Sequence, residues 1–154
     1  MPAFMRFIVV AIFAFASLVA NAQQHSHAGH ADHSFGNAEM WAKRFDDPAR
    51  DAWQKPDEVV RALKLAPNAS VADLGAGTGY FAVRLARAVP AGRVYAVDVE
   101  PDMVRYLEGR AKREGIANLT PVRGTAKSPA LPAAVDAVLL VDVLWVAVNP
   151  YLVR

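Results

Sequence analysis

Apolar residues follow two rhythms along this chain. From residue 71 they come as short continuous runs, Val71 to Leu74, Val94 to Val97 and the strongly apolar "VDAVLLVDVLWVAV" beginning near Asp136, each bounded by turn residues, and such runs predict buried strands. Between them Phe81, Leu85, Ala88 and Val89, and then Met103, Leu107 and Ala111, return at helical spacing and predict two helices, the second ended at Gly115. "PAG" at 90–92 turns the chain, so residues 71–97 predict one βαβ unit. "NLTPVR" predicts a third strand, and Pro121, with no N–H to give a ladder, belongs on a sheet edge. Upstream, "NAEMWAKRF" sets Met40 and Trp41 against Arg44 and Phe45 at helical spacing, with Asn37 as N-cap; Pro48 ends that helix or starts the next turn. "PDEVVRALKL" opens with Pro56 at a helix start and Asp57 and Glu58 in the first turn, carries Val59, Val60 and Leu63 on one face, and is closed by Pro67 and Asn68.

The first 36 residues keep neither rhythm. Met1 to Arg6 is a short positive start, Phe7 to Ala20 is almost unbroken apolar sequence, and "ANA" ends at Ala22 as a small-x-small cleavage site, which predicts a secretory signal peptide over 1–22. The apolar run is about 14 residues where a membrane span needs roughly 20. That favours a cleaved signal and a periplasmic or secreted chain, with no stable membrane insertion, over an uncleaved anchor. Residues 23–36, "QQHSHAGHADHSFG", are polar and small and predict a flexible leader, leaving 37–154 as the folded domain. His25, His27, His30 and His33 are dense enough to hold Cu(II), Ni(II) or Zn(II); the other reading is a solvated tail without a fixed site.

Composition narrows the classes further. A chain of 154 residues, 54% apolar and 21% charged, builds one globular core. Seventeen basic residues against fifteen acidic ones, interspersed, argue against nucleic acid as a partner. The absence of cysteine excludes disulfides, thiolate metal sites and cysteine nucleophiles, and nothing in the composition fixes an oligomeric state.

The candidate chemistry lies in "VADLGAGTGYFAVRLA", residues 71–86. Gly75, Gly77 and Gly79 form G-x-G-x-G, not the dinucleotide spacing G-x-G-x-x-G, and Asp73 stands two residues ahead of the first glycine. A strand, a glycine turn and a helix in succession bring a ligand close to bare backbone and predict N–H groups aimed at it. Asp73 in the strand end would repel a diphosphate and suits a cationic head. Asp98, at the end of the second strand, is placed to accept the hydroxyls of a ribose. The plain alternative is a set of glycines that merely tighten a strand-to-helix turn. No Ser-His-Asp set, acid pair or lysine nucleophile stands out, which fits a reaction that relies on positioning.

These segments, with "RVYAVDVEPDM" and "VDAVLLVDVL", resemble the class I S-adenosylmethionine-dependent methyltransferases, in the branch that includes the ubiquinone-biosynthesis type, over about residues 33–142. "AEMWAKRFDDPARDAWQKPDEVVRALKL" looks like the leader segment of exported bacterial members. The resemblance implies an α/β, Rossmann-like methyltransferase fold with a mostly parallel sheet, S-adenosylmethionine as cofactor and a small-molecule acceptor. It implies that Asp73, Gly75, Gly77 and Gly79 contact the methionine part of the cofactor, that Asp98 binds the ribose and that Val99 flanks the adenine. The family often carries an Asp after the third strand for the adenine amino group; this chain has Thr125 and Ala126 there. Asp142 matches the position that usually faces the methyl-transfer site, or is a buried acid completing strand packing. Trp41, Phe45, Trp53 and Tyr80 either roof the cleft, where a sulfonium is drawn to aromatic faces, or pack as ordinary core. The family's sheet has seven strands and this sequence stops after the fourth, so the expectation is a fold incomplete at the C-terminus, from a reading frame broken near Val143. Two other classes stay open: a non-catalytic nucleoside-binding module, and a His-rich periplasmic metal-binding protein using the domain as scaffold. An NAD-dependent enzyme is disfavoured by the glycine spacing and Asp73.

Overall fold

The computed structural model describes residues 37–142. The signal-peptide stretch, the leader with His25, His27, His30 and His33, and the segment after Asp142 lie outside the described residues. Four strands, β1 (Ser70–Leu74), β2 (Arg93–Asp98), β3 (Leu119–Arg123) and β4 (Ala137–Leu140), form one sheet in the order β3-β2-β1-β4. Every pairing is parallel, with Asp73 opposite Ala96 on one side and Leu139 on the other. Strands covered on both faces read as continuous apolar runs, which is why the pattern at 71–74 and 94–97 lacks alternation. Pro121 lies in β3, which pairs with β2 alone among the described strands, the edge position its missing N–H requires.

Helices close one face of this sheet. Pro56–Ala62 (here α3), Ala82–Ala88 (α4) and Pro101–Arg113 (α5) bring Val59, Leu85 and Leu107 against Val71, Val94 and Leu139 of the strands. Fully burying Leu85, Leu107 or Leu139 contributes roughly 1.5–3 kcal/mol each. The opposite face carries a smaller cluster in which Val135 and Leu131 of the β3–β4 connection cover Ala72, Tyr95 and Val97. Close approach fixes two joints. Asn118 turns its side-chain amide onto the carbonyls of Ala86 (2.9 Å) and Val89 (2.8 Å), satisfying the open C-terminal end of α4 from outside the helix. Gly92 passes so near Ala69 that a Cβ there would lie 2.0 Å from the Ala69 carbonyl oxygen.

A 3₁₀ turn starts at Pro48, one of the two expectations for that proline, and a one-turn helix that was not foreseen follows it. Between α1 (Ala38–Phe45) and α3 the chain makes a 3₁₀ turn at Pro48–Arg50 and a one-turn helix α2 (Asp51–Gln54), so residues 38–54 form a strap upstream of the sheet. Asn37 caps α1 as its side chain predicts, accepting from the Met40 amide. Helix α3 stops at Ala62, well before Pro67, because Lys64 reverses the chain at φ 48°. The fourth strand is shorter than its apolar run, ending at Leu140. No helix among the described residues is long and apolar enough to cross a membrane.

Candidate functional site

The chain runs from β1 through β2 to β3 in one direction and then returns to the far side of β1 as β4, so the order reverses at the β1/β4 boundary. In open α/β sheets a ligand crevice opens beyond the carboxyl ends of the strands at such a switch point. Gly75, Gly77 and Gly79 follow β1 into that crevice at φ 75°, 55° and 96°, a region that side chains disfavour. At Gly79 a Cβ would stand 2.8 Å from the Leu107 side chain, and at Gly77 3.5 Å from the ring of Phe45.

The turn does not offer its amides as the sequence led us to expect. Gly75 and Ala76 both donate to the Val97 carbonyl (2.8 and 2.9 Å), Gly79 donates to Ala76 (2.8 Å), and Gly77 donates to an Asp98 carboxylate oxygen (2.8 Å). Helix α4 begins at Ala82, three residues after Gly79, and the Ala82 backbone hydrogen-bonds to Asp73. Bare backbone supplies room, and carboxylates supply the polarity. That combination disfavours a phosphate and suits a nucleoside or amino-acid ligand.

Asp73 lies one residue before the end of β1, opposite Ala96, and Asp98 is the last residue of the neighbouring β2. Asp98 is nearly buried and holds two backbone donors, Gly77 on one oxygen and Glu100 (2.9 Å) on the other, which fixes the carboxylate at the mouth of the crevice with further lone pairs to spare. Asp73 is the more unusual acid. Its Oδ2 is buried with no hydrogen-bond partner among the described residues. Burial, with a smaller push from the Asp98 carboxylate, raises its pKa to about 7 against the opposing hydrogen bond from the Ala82 backbone. A buried oxygen left without a donor costs about 1–3 kcal/mol, and none of the described residues supplies one.

The strap lies over the turn. Trp41 stacks on Phe45 with ring centroids 5.3 Å apart, and Phe45 reaches Gly77. Asp46 accepts from Arg110 (2.8 Å) and from the Thr78 hydroxyl (3.1 Å), while Arg110 also donates to the Thr78 carbonyl. Asp51 accepts from Arg84 and from the Tyr80 phenol, whose pKa burial and that hydrogen bond push up to about 12. The guanidinium groups of Arg50 and Arg84 each lie 4.3 Å from the centre of the Tyr80 ring. Of the four aromatics named from sequence, Tyr80 is buried core, whereas Trp53 is largely exposed.

The remaining candidates are placed as follows. Val99 is exposed next to Asp98, at the rim of the crevice. Thr125 and Ala126 sit in an exposed loop after β3, where the Thr125 hydroxyl closes its own turn by accepting from the Lys127 and Ser128 amides. Asp142 is not a buried packing acid: it stands past the end of β4 at φ 59° with its side chain 57% exposed, accepts from Gln54 (2.9 Å) and pairs with Arg50 at 3.6 Å. Sequence reasoning missed Gln54, Arg50 and Arg110. Only the cluster of Asp46, Asp47, Arg50 and Asp51 hinted at a polar network there.

The family model of the methyltransferase domain matches residues 71–153, more than half of the chain. The chain belongs to that family. Among solved structures, a SAM-dependent methyltransferase from Aquifex aeolicus is 29% identical, with a TM-score of 0.61 over 66% of this chain and 55% of that one. Among curated relatives, the release factor glutamine methyltransferase of Moorella thermoacetica is 29% identical over 93 residues, 60% of this chain and 33% of its own. The malonyl-[acyl-carrier protein] O-methyltransferase of Methylococcus capsulatus is 40% identical over 75 residues, 49% of this chain and 26% of its own. The chain thus spans a third or less of the length of these curated relatives. The parallel sheet and glycine turn of this methyltransferase domain are those of the class I, S-adenosylmethionine-dependent group, and S-adenosylmethionine is its cofactor. The residues present fit that cofactor: an unpartnered buried carboxylate oxygen on Asp73 for a cationic amine, an anchored carboxylate on Asp98 for vicinal hydroxyls, and bare backbone between them.

Proposed function

We propose that this chain carries the cofactor crevice of an enzyme that transfers a methyl group from S-adenosylmethionine to a small-molecule acceptor. The observation that carries the reading is Asp73, whose buried oxygen has no donor among the described residues and whose pKa is raised to about 7, so that a cationic ligand is the partner that would hold it ionised. The bound cofactor supplies an activated methyl group on a sulfonium. Asp73 would orient the amino-acid end through the ammonium, Asp98 would fix the ribose, and Val99 would flank the adenine. Gly75, Gly77 and Gly79 would let the ligand lie on the backbone. The adenine amino group would meet the loop of Thr125 and Ala126 without an acid to receive it. Asp142 would face the acceptor across β4. Trp41 and Phe45 would cover the crevice and keep water out.

The first 22 residues support a reading in which the chain is exported and acts in the periplasm or outside the cell. A His-rich leader would then meet metal ions there, as a separate property of residues 23–36. Calorimetric titration of S-adenosylmethionine and S-adenosylhomocysteine into the full chain, beside an Asp98→Ala variant, tests the main reading. Binding that the variant loses is expected. A folded chain that binds neither compound would remove it, and binding without turnover against an acceptor panel would leave nucleoside binding as the activity.

A further inference from the structure

One buried group on the strap has no task in the scheme above. Gln54 is 1% exposed, the most deeply buried residue of α2, and its amide is half used. Its Nε2 donates to the Asp142 carboxylate at 2.9 Å, and its Oε1 has no hydrogen-bond partner among the described residues. The orientation is fixed by charge: turning the amide over would press a carbonyl against a carboxylate that already faces Arg50 at 3.6 Å. A buried carbonyl of this kind calls for a donor from elsewhere. The cofactor's cationic amine is claimed more strongly by Asp73, an anionic acceptor at the end of β1 that is itself unpartnered. Gln54 is tied to the end of β4, on the other side of β1 from Asp98 and the ribose position. What meets it there is the second ligand, and a neutral carbonyl matches a neutral O–H or N–H.

We propose that Gln54 is a specificity-determining residue, its carbonyl accepting a hydrogen bond from a hydroxyl or amine N–H of the methyl acceptor beside Asp142. The inference rests on the methyltransferase reading and names the acceptor class: a small molecule bearing an O–H or N–H donor, in preference to a thioether, an ether or a hydrocarbon. Because Oε1 is shielded from water, the acceptor reaches it when α2 shifts about Lys55, the residue that joins α2 to α3 in a left-handed conformation (φ 46°).

Matched probes test this on the full chain, by ligand-observed NMR with and without saturating S-adenosylhomocysteine: phenol against anisole, and aniline against N,N-dimethylaniline. The wild type is expected to bind the donor member of each pair about tenfold more tightly, the discrimination given by one hydrogen bond to a buried acceptor. Gln54→Met should bring each pair to within about twofold while S-adenosylhomocysteine affinity stays within about twofold. If Gln54→Met does not fold, the exchange Gln54→Glu with Asp142→Asn keeps both the link to position 142 and a free oxygen, and should keep the preference. Equal binding of the pairs by the wild type, no binding of any probe, a preference that survives Gln54→Met, or its loss in the exchanged pair would overturn the proposal. Loss of S-adenosylhomocysteine binding in Gln54→Met would overturn it too, by giving Gln54 to the cofactor. A wild type that binds no S-adenosylhomocysteine yet keeps the donor preference would count against methyl transfer and leave the recognition by Gln54 standing.

Discussion

Replacing Asp73 by Asn should reverse sign in its effect on stability as pH rises. The carboxyl is raised from 3.8 to about 7 in the folded chain, chiefly by burial and then by Asp98, with the Ala82 backbone bond opposing. Folding therefore binds a proton between those values, and stability falls as pH climbs through that window. The penalty is absent below the unfolded value and complete above about 7. At 1.36 kcal/mol per unit it comes to roughly 2 kcal/mol at pH 5 and on the order of 4 kcal/mol at pH 8. Asn removes the charge at every pH but leaves a buried N–H₂ without an acceptor, a cost of about 1–3 kcal/mol. Relative to the wild type the variant should be near neutral or slightly weaker at pH 5 and clearly stronger at pH 8, a relative gain on the order of 2–3 kcal/mol. Urea unfolding followed at both pH values would show the gain as a midpoint shift of about 1–2 M. A stability difference that does not change between the two pH values would refute the argument, since it would mean that Asp73 has the same proton affinity folded and unfolded. Lost cofactor binding in the same variant would join the stability and function of this acid in one residue.

Other substitutions probe the frame around it. Gly79→Ala puts a Cβ 2.8 Å from Leu107 at φ 96° and should cost about 1–3 kcal/mol in urea, with cofactor affinity falling alongside. Asn118→Ala uncovers the carbonyls of Ala86 and Val89 and should lower stability by about 1–3 kcal/mol without touching ligand affinity, a separation that calorimetry beside denaturation would read. Leu107→Ala, at the fully buried centre of α5, should cost about 2–5 kcal/mol. The Tyr80 phenol, pushed up to about 12 from an ordinary value of 10.0, should stay protonated until the alkaline end, and an ultraviolet pH titration of Tyr80→Phe against the wild type should differ only there.

The frame was legible because its signals are local. Apolar runs too short for helices, glycines between a strand and a helix, and a proline that cannot donate are consequences of backbone geometry, and each found its place in the parallel sheet. The role first given to the turn's amides was not legible. Whether an N–H is free depends on its neighbour across the sheet, and Val97 and Asp98 take those of Gly75, Ala76 and Gly77. Gln54 was equally hidden, since one glutamine in a polar stretch looks solvated until Asp142, far along the chain, folds against it. Lys64 ended α3 early through a left-handed turn that lysine has no local reason to adopt. The strap shows the common cause: side chains made its structure, and their partners lie at distances that periodicity does not sense.

Those distances have a meaning in time. Asp51 bonds to Arg84 across 33 residues, Asp46 to Arg110 across 64, and Gln54 to Asp142 across 88. A ribosome delivers the strap before any of these partners exists, and the span to be closed lengthens at each successive latch. Strands and helices from Ser70 onward can assemble with their immediate neighbours as they emerge, whereas the strap is fastened stepwise and Gln54 waits for Asp142. The strap, the earliest of the described segments to be synthesised, is therefore the last to be fully fastened, and its final link forms only after translation has passed Asp142.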